Sequence, residues 1–326
     1  MIFINRSATN IKRAKVEHSK IVLPYLNRHR HKATAISDFI VYNRGTLING
    51  SPQEIYDLNL RFYDALPKFT SAGFLDYLRI CSLKPKNRSL AERKKYSRYK
   101  RLNKKIEEIV NYENWFISSS KKYDYSLASN LDRTTCTYCN RIYTNTMISR
   151  RGRKLMRPQF DHWFPKSIFP LLALSFFNLI PSCSICNSTA KSDTIFSLNR
   201  HLHPYIIEDS LDNFSFTYKY FRSTNSYTVE IKSSVGNKKT FNTYNDLNLK
   251  EVYNAHSSEL SDLIEIKKAY SVNYIKNMML AYPDAGLSYE ETYRIVFGVE
   301  YETSNFHKRP FSKFKKDILE ELKIIT

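Results

Sequence analysis

The sequence predicts an α+β chain, mostly helical, built around a small central unit that cysteines hold together, with one further β-hairpin after it. Three observations lead there. Apolar residues recur at helical spacing through much of the first 130 positions and again near the C-terminus. Only seven glycines occur in 326 residues, so long helices joined by polar turns are easier to build than an all-β domain. Period-two alternation is confined to two short stretches, 141–148 and 214–231. The length suits two or three units, divided here as a helical basic region 1–130, a central unit 131–204, and a hairpin with C-terminal helices 205–326.

In the first unit, Ser51, Pro52, Gln53 and Glu54 form a strong helix start. Ser51 suits the N-cap, Pro52 the first helical position, and Glu54 closes a capping box. Ile55, Leu58, Phe62 and Leu66 then fall on one face, and Ile106, Ile109, Val110 and Ile117 suggest a second helix. Two basic clusters lie here. Residues 27–32 form a short one; residues 84–105 hold eleven Lys or Arg against one acid, Glu92, which is +10 of the chain's formal +20. Tyr96 and Tyr99 are interleaved with the second cluster. Two readings stand side by side: a surface that tracks a phosphate backbone with tyrosines for stacking, or a solvated helix face or linker.

The central unit carries the chemistry. Cys136 and Cys139, then Cys183 and Cys186, form two Cys-x-x-Cys pairs with the ligand spacing of a four-thiolate zinc site. Such a site has no open position, so its zinc is structural. Cys81 falls outside it and reads as a small buried hydrophobe. Residues 141–148 alternate as a strand, 149–154 form a turn with Gly152 at the strained position, and 155–160 return. This hairpin delivers Asp161 and His162 at its end. Its tip presents Arg150, Arg151, Arg153 and Lys154, either to a nucleic-acid backbone or simply to solvent. Residues 168–177 read as a short apolar helix behind the site.

Taken in order, the first cysteine pair, Asp161 to Pro165, Asn178 to Pro181, the second cysteine pair, and Asn187 with Lys191 and Asp193 resemble the HNH (His-Me finger) endonuclease superfamily in its zinc-stapled form. The resemblance spans about 65 residues. It implies that the central unit is a ββα-metal fold, that Asp161 binds a catalytic metal, and that His162 is the general base. It further implies that Asn178 orders the loop and that Asn187 is the last metal ligand. Oxygen ligands suit Mg²⁺ or Mn²⁺, and two protein ligands favour a single-metal hydrolysis of DNA leaving 5′-phosphate ends. Lys166 and Lys191 read either as phosphate contacts or as surface lysines, and Asp193 either as support for the metal or as a cap. A narrower resemblance, to the HNH component of Septu-type anti-phage systems, implies a defence role with an ATPase partner protein; this chain has no P-loop of its own. Two other readings are an inactive zinc-ribbon module that binds nucleic acid or acts as a scaffold, and a nuclease that cleaves RNA.

Bulk properties agree with a polyanionic partner, since 51 Lys and Arg stand against 31 Asp and Glu. Paired cysteines of this kind do not resemble a secreted disulfide framework, and no signal peptide or membrane-spanning run is visible. A cytoplasmic protein without a membrane partner is therefore expected. Phe214, Phe216, Tyr218 and Tyr220 alternate against Tyr227, Val229 and Ile231 as the second hairpin, with aromatics better suited to core than to base stacking. Two apolar stripes follow, one from Val252 to Met278 and one from Phe311 to Ile325, each fitting core or a partner surface.

Overall fold

The computed structural model describes residues 1–28, 34–191, 194–206, 214–233, 238–271, 273–274, 277–278 and 286–325. The chain is α+β. Its first part is helical: α1 (Thr9–Asn27), α2 (Ala35–Asn49), α3 (Pro52–Asp64), α4 (Ser71–Cys81), α5 (Leu90–Ile109) and α6 (Tyr123–Leu131). The start of α3 is a capping box, with Ser51 N donating to Glu54 Oε2 at 2.7 Å and Glu54 N donating to Ser51 Oγ at 3.4 Å. Ile55, Leu58 and Phe62 are fully buried on its inner face. The basic segment forms α5, also capped by a box at Ser89. Tyr99 does not face solvent for base stacking: it is buried and stacks on Tyr77 with centroids 4.6 Å apart. Most of the 27–32 cluster lies outside the described residues.

The central unit corrects two expectations. Along 141–148 only β1 (Met147–Ile148) pairs with the return strand, β2 (Lys154–Met156), while Tyr143 makes a single antiparallel bridge with Thr135. Residues 142–144 are instead drawn to the first cysteine pair, with Cys136 N donating to Ile142 O at 3.1 Å and Thr144 N to Thr134 O at 2.8 Å. The return strand stops before Pro158, which has no N–H for a ladder. Asp161 and His162 therefore lie on a separate strand, β3 (Gln159–His162), paired antiparallel with β4 (Leu179–Ser182). Residues 168–177 are not one helix either. They form two single 3₁₀ turns, Pro170–Leu172, with Pro170 at its first position, and Phe176–Asn178. The reversal at the tip holds, with Gly152 at φ 78° and Gly152 N donating to Ser149 O at 2.8 Å.

The third part pairs β5 (Phe214–Phe221) with β6 (Ser226–Ser233), followed by α7 (Lys238–Asp246), α8 (Leu249–Asn254), α9 (Ser257–Ala269), α10 (Tyr289–Phe297) and α11 (Ser312–Glu321). Phe214, Phe216 and Val229 are buried, and Phe216 packs on Tyr253 and Phe314. The Val252–Met278 stripe is interrupted: α8 ends at Asn254, and Tyr270 and Tyr274 are about half exposed. Phe314, Ile318, Leu322 and Ile325 are buried as core. One apolar cluster runs through all three parts. The first residues thread into the centre, where Ile2 N donates to Thr137 O at 2.6 Å and Ile4 N to Pro204 O at 2.8 Å. Among the described residues no helix is long and apolar enough to cross a membrane.

Candidate active site

Four buried cysteines come together from two distant turns. The thiols of Cys136, Cys139, Cys183 and Cys186 all lie within 4.8 Å of one another, and Cys139 and Cys183 are 4.0 Å apart. A tetrahedron of sulfurs about 2.3 Å from a zinc ion has edges of about 3.8 Å, so the donor set fits such an ion. Each pair sits on a tight turn: Asn140 N donates to Cys136 O at 2.9 Å, and Asn187 N to Cys183 O at 3.0 Å. Thr137 N donates to Pro181 O at 3.1 Å, which ties the first turn to β4. The third part clamps the same turn, with Tyr253 OH on Cys139 O at 2.5 Å and Phe311 N on Asn140 O at 2.6 Å. Cys81 is half-buried and outside the cluster, and burial pushes its thiol pKa up.

Asp161, His162 and Asn187 line one cleft of about 430 Å³. His162 is buried and its Nε2 is 3.0 Å from Ala173 O. A carbonyl only accepts, so Nε2 carries the hydrogen and Nδ1 of the neutral ring keeps its lone pair. The broken helix makes this contact possible, since a continuous helix would engage the Ala173 carbonyl four residues on. Burial lowers the His162 pKa to about 4, and the ring of Tyr112 meets it edge-on at 4.5 Å.

Asp161 is held through one oxygen. Oδ2 accepts from Tyr138 OH at 2.6 Å and from Lys191 Nζ at 2.6 Å, and Oδ1 has no hydrogen bond among the described residues. Asn187 donates from Nδ2 to Gln159 Oε1 at 2.8 Å, and its Oδ1 has no hydrogen bond among the described residues. Asn178 faces away from the cleft and stitches the loop between β3 and β4. Its Oδ1 accepts from Phe164 N at 2.7 Å, and its Nδ2 donates to Phe164 O at 3.1 Å and Leu172 O at 3.0 Å.

The basic candidates divide. Arg150, Arg151 and Arg153 are exposed around the hairpin turn. Lys154 turns inward instead, donating to Ile117 O at 2.9 Å and pairing with Asp124 at 3.3 Å. Lys191 is not a surface lysine: it is 2% exposed and also donates to His162 O at 2.6 Å. Burial lowers its pKa, against the opposing pull of Asp161. Lys166 lines the cleft and pairs with Glu113. Asp193 lies outside the described residues. His201 and His203 are buried in the exit loop, His201 against Asp246 at 2.8 Å.

Several residues of the cleft carry no signal in the sequence. Arg157 lines it and is anchored by Asp124, with Nε 2.6 Å from Oδ2. Tyr112 and Gln159 also line it, and Tyr138 acts from beneath. Of these only Tyr138 was open to suspicion, because it lies inside the first cysteine pair.

Comparison with models of protein families, with curated proteins and with solved structures finds no match.

Proposed function

We propose that the chain is a metal-dependent endonuclease of the HNH type that hydrolyses phosphodiester bonds in DNA. The observation that carries this reading is that Asp161, His162 and Asn187 line one cleft, with His162 Nδ1, Asp161 Oδ1 and Asn187 Oδ1 each without a hydrogen bond among the described residues. In this reading His162 Nδ1 takes the proton of the attacking water. The Ala173 carbonyl fixes the tautomer that permits it, and a pKa near 4 keeps the ring unprotonated at neutral pH. Asp161 and Asn187 would hold one hard cation such as Mg²⁺, a fit that rests on their two free oxygen donors. When bound, that ion neutralises phosphate charge and assists the departing 3′ oxygen.

The cysteine cluster is proposed to hold a structural zinc. It joins the turn beneath β4 to the turn that carries Asn187, so it sets the spacing between Asn187 and Asp161. An error near 1 Å in that spacing costs on the order of 10²-fold in rate. The net charge of +20 suits a nucleic-acid substrate. A role in phage defence beside an ATPase partner is part of the proposal and rests on the sequence resemblance alone.

The test is cleavage of plasmid, single-stranded DNA and RNA across a metal series. His162→Ala is expected to lose about 10²- to 10⁴-fold in rate. A variant that cuts like the parent removes His162 from the chemistry. Preference for RNA over both DNA forms would replace the substrate.

A further inference from the structure

A second concavity, of about 580 Å³, shares Pro165 and Ser167 with the wall of the catalytic cleft. Lys84, Arg88 and Lys100 line it together with Tyr96, and no acidic residue does among the described residues. Among the described residues none of the three cations is paired with a carboxylate. Their neighbours Arg79 and Lys95 are, through Asp76 and Glu92.

Two of the cations lie beside the Tyr96 ring, and Arg88 is fixed in place. Arg88 donates to Ile80 O at 3.0 Å and Leu83 O at 2.9 Å, and its guanidinium lies 4.1 Å from the centre of the Tyr96 ring. Lys100 Nζ is 5.7 Å from the same ring and donates to Ser167 O at 3.4 Å. Like charges gathered in one concavity repel unless an anion completes the set. Arg88, held by two carbonyls and a ring, cannot swing away freely to relieve it.

We propose that this concavity is a phosphate subsite, binding the backbone of the nucleic-acid strand that runs through the cleft at Asp161 and His162. The inference rests on the nuclease reading for the identity of the strand. The shared wall favours a polymer passing from one concavity to the next over a free nucleotide. It also gives the basic run of α5 a place: of its cations, Lys100 reaches this subsite, whereas Lys95 is paired with Asp76.

The experiment is fluorescence anisotropy of a labelled DNA duplex binding to the full chain without added Mg²⁺, repeated from about 50 to 200 mM salt. Lys84→Ala and Lys100→Ala are each expected to reduce the slope of log K against log salt by about 0.9. Lys86→Ala, exposed two residues from Lys84 and outside the concavity, is expected to leave the slope unchanged. Parental slopes in the first two variants, or an equal change with Lys86→Ala, overturn the subsite. So does competition by a mononucleotide as strong as that by the oligonucleotide. Cleavage is read separately on plasmid with Mg²⁺. A chain that cuts but shows no slope change loses the subsite only; one that shows the change without cutting loses the catalytic reading only.

Discussion

Lys191 Nζ lies 2.6 Å from Asp161 Oδ2, and both side chains are almost wholly enclosed. With Tyr138 on the same oxygen, this pair determines which oxygen of Asp161 is left for the cleft. Removing one member of a buried pair leaves an uncompensated charge, a loss of about 3–5 kcal/mol. Lys191→Met is therefore expected to unfold at markedly lower urea. Adding Asp161→Asn removes the orphaned charge and should recover much of that loss, while cleavage stays absent in both variants. A Lys191→Met midpoint equal to that of the parent would mean that Asp161 does not depend on this ammonium.

The cysteine cluster leads to a second expectation. The purified chain should release one zinc ion per molecule to a colorimetric chelator on denaturation. Cys183→Ser should release much less and lower the Tm by about 10 °C or more, because binding energy at such a site is folding energy. Adding Mg²⁺ should not restore cleavage to that variant. Full stability with no zinc released would reduce the cluster to packed thiols.

What was legible in the sequence is what is set by local spacing. The Cys-x-x-Cys turns, the Ser51–Glu54 box and the alternating 214–231 hairpin each follow from residues a few positions apart. What was not legible depends on distant partners. The burial of Lys154 and Lys191 follows only once Asp124 and Asp161 are placed beside them, and those carboxylates lie 30 residues away in each case. The partner of His162 was equally hidden, because the Ala173 carbonyl is free only where the chain turns as two short 3₁₀ pieces and not as one helix.

Asn178 joins both kinds of information, being named by the sequence and explained by its bonds. Asn178→Ala would leave Phe164 N, Phe164 O and Leu172 O without this partner in a buried loop. A cost of about 3 kcal/mol follows at about 1 kcal/mol for each lost bond, and more if the groups stay dry. Because that loop carries Ala173, the imidazole of His162 should lose its alignment too. The expected result is a lower kcat with Mg²⁺ binding at Asp161 retained, read by calorimetry. A loss of stability without a change in kcat would limit Asn178 to holding the loop.

The last expectation concerns acid. His18, on α1, is buried against Phe116 and Phe176, and its Nε2 is 2.8 Å from Leu174 O. Burial lowers its pKa from 6.5 to about 4. The folded value lies below the unfolded one, so folding favours the neutral ring. That contribution is complete above pH 6.5 and is lost as the pH falls toward 4. Between pH 7.5 and 5 the loss from this group alone is about 2 kcal/mol. His18→Gln can still donate to Leu174 O but does not titrate, so its urea stability should fall less over that interval, by about the same 2 kcal/mol. His162, also lowered to about 4, contributes the same trend in parent and variant and cancels from the difference. Parallel pH curves for the two proteins would show that His18 stays accessible to protons in the native state.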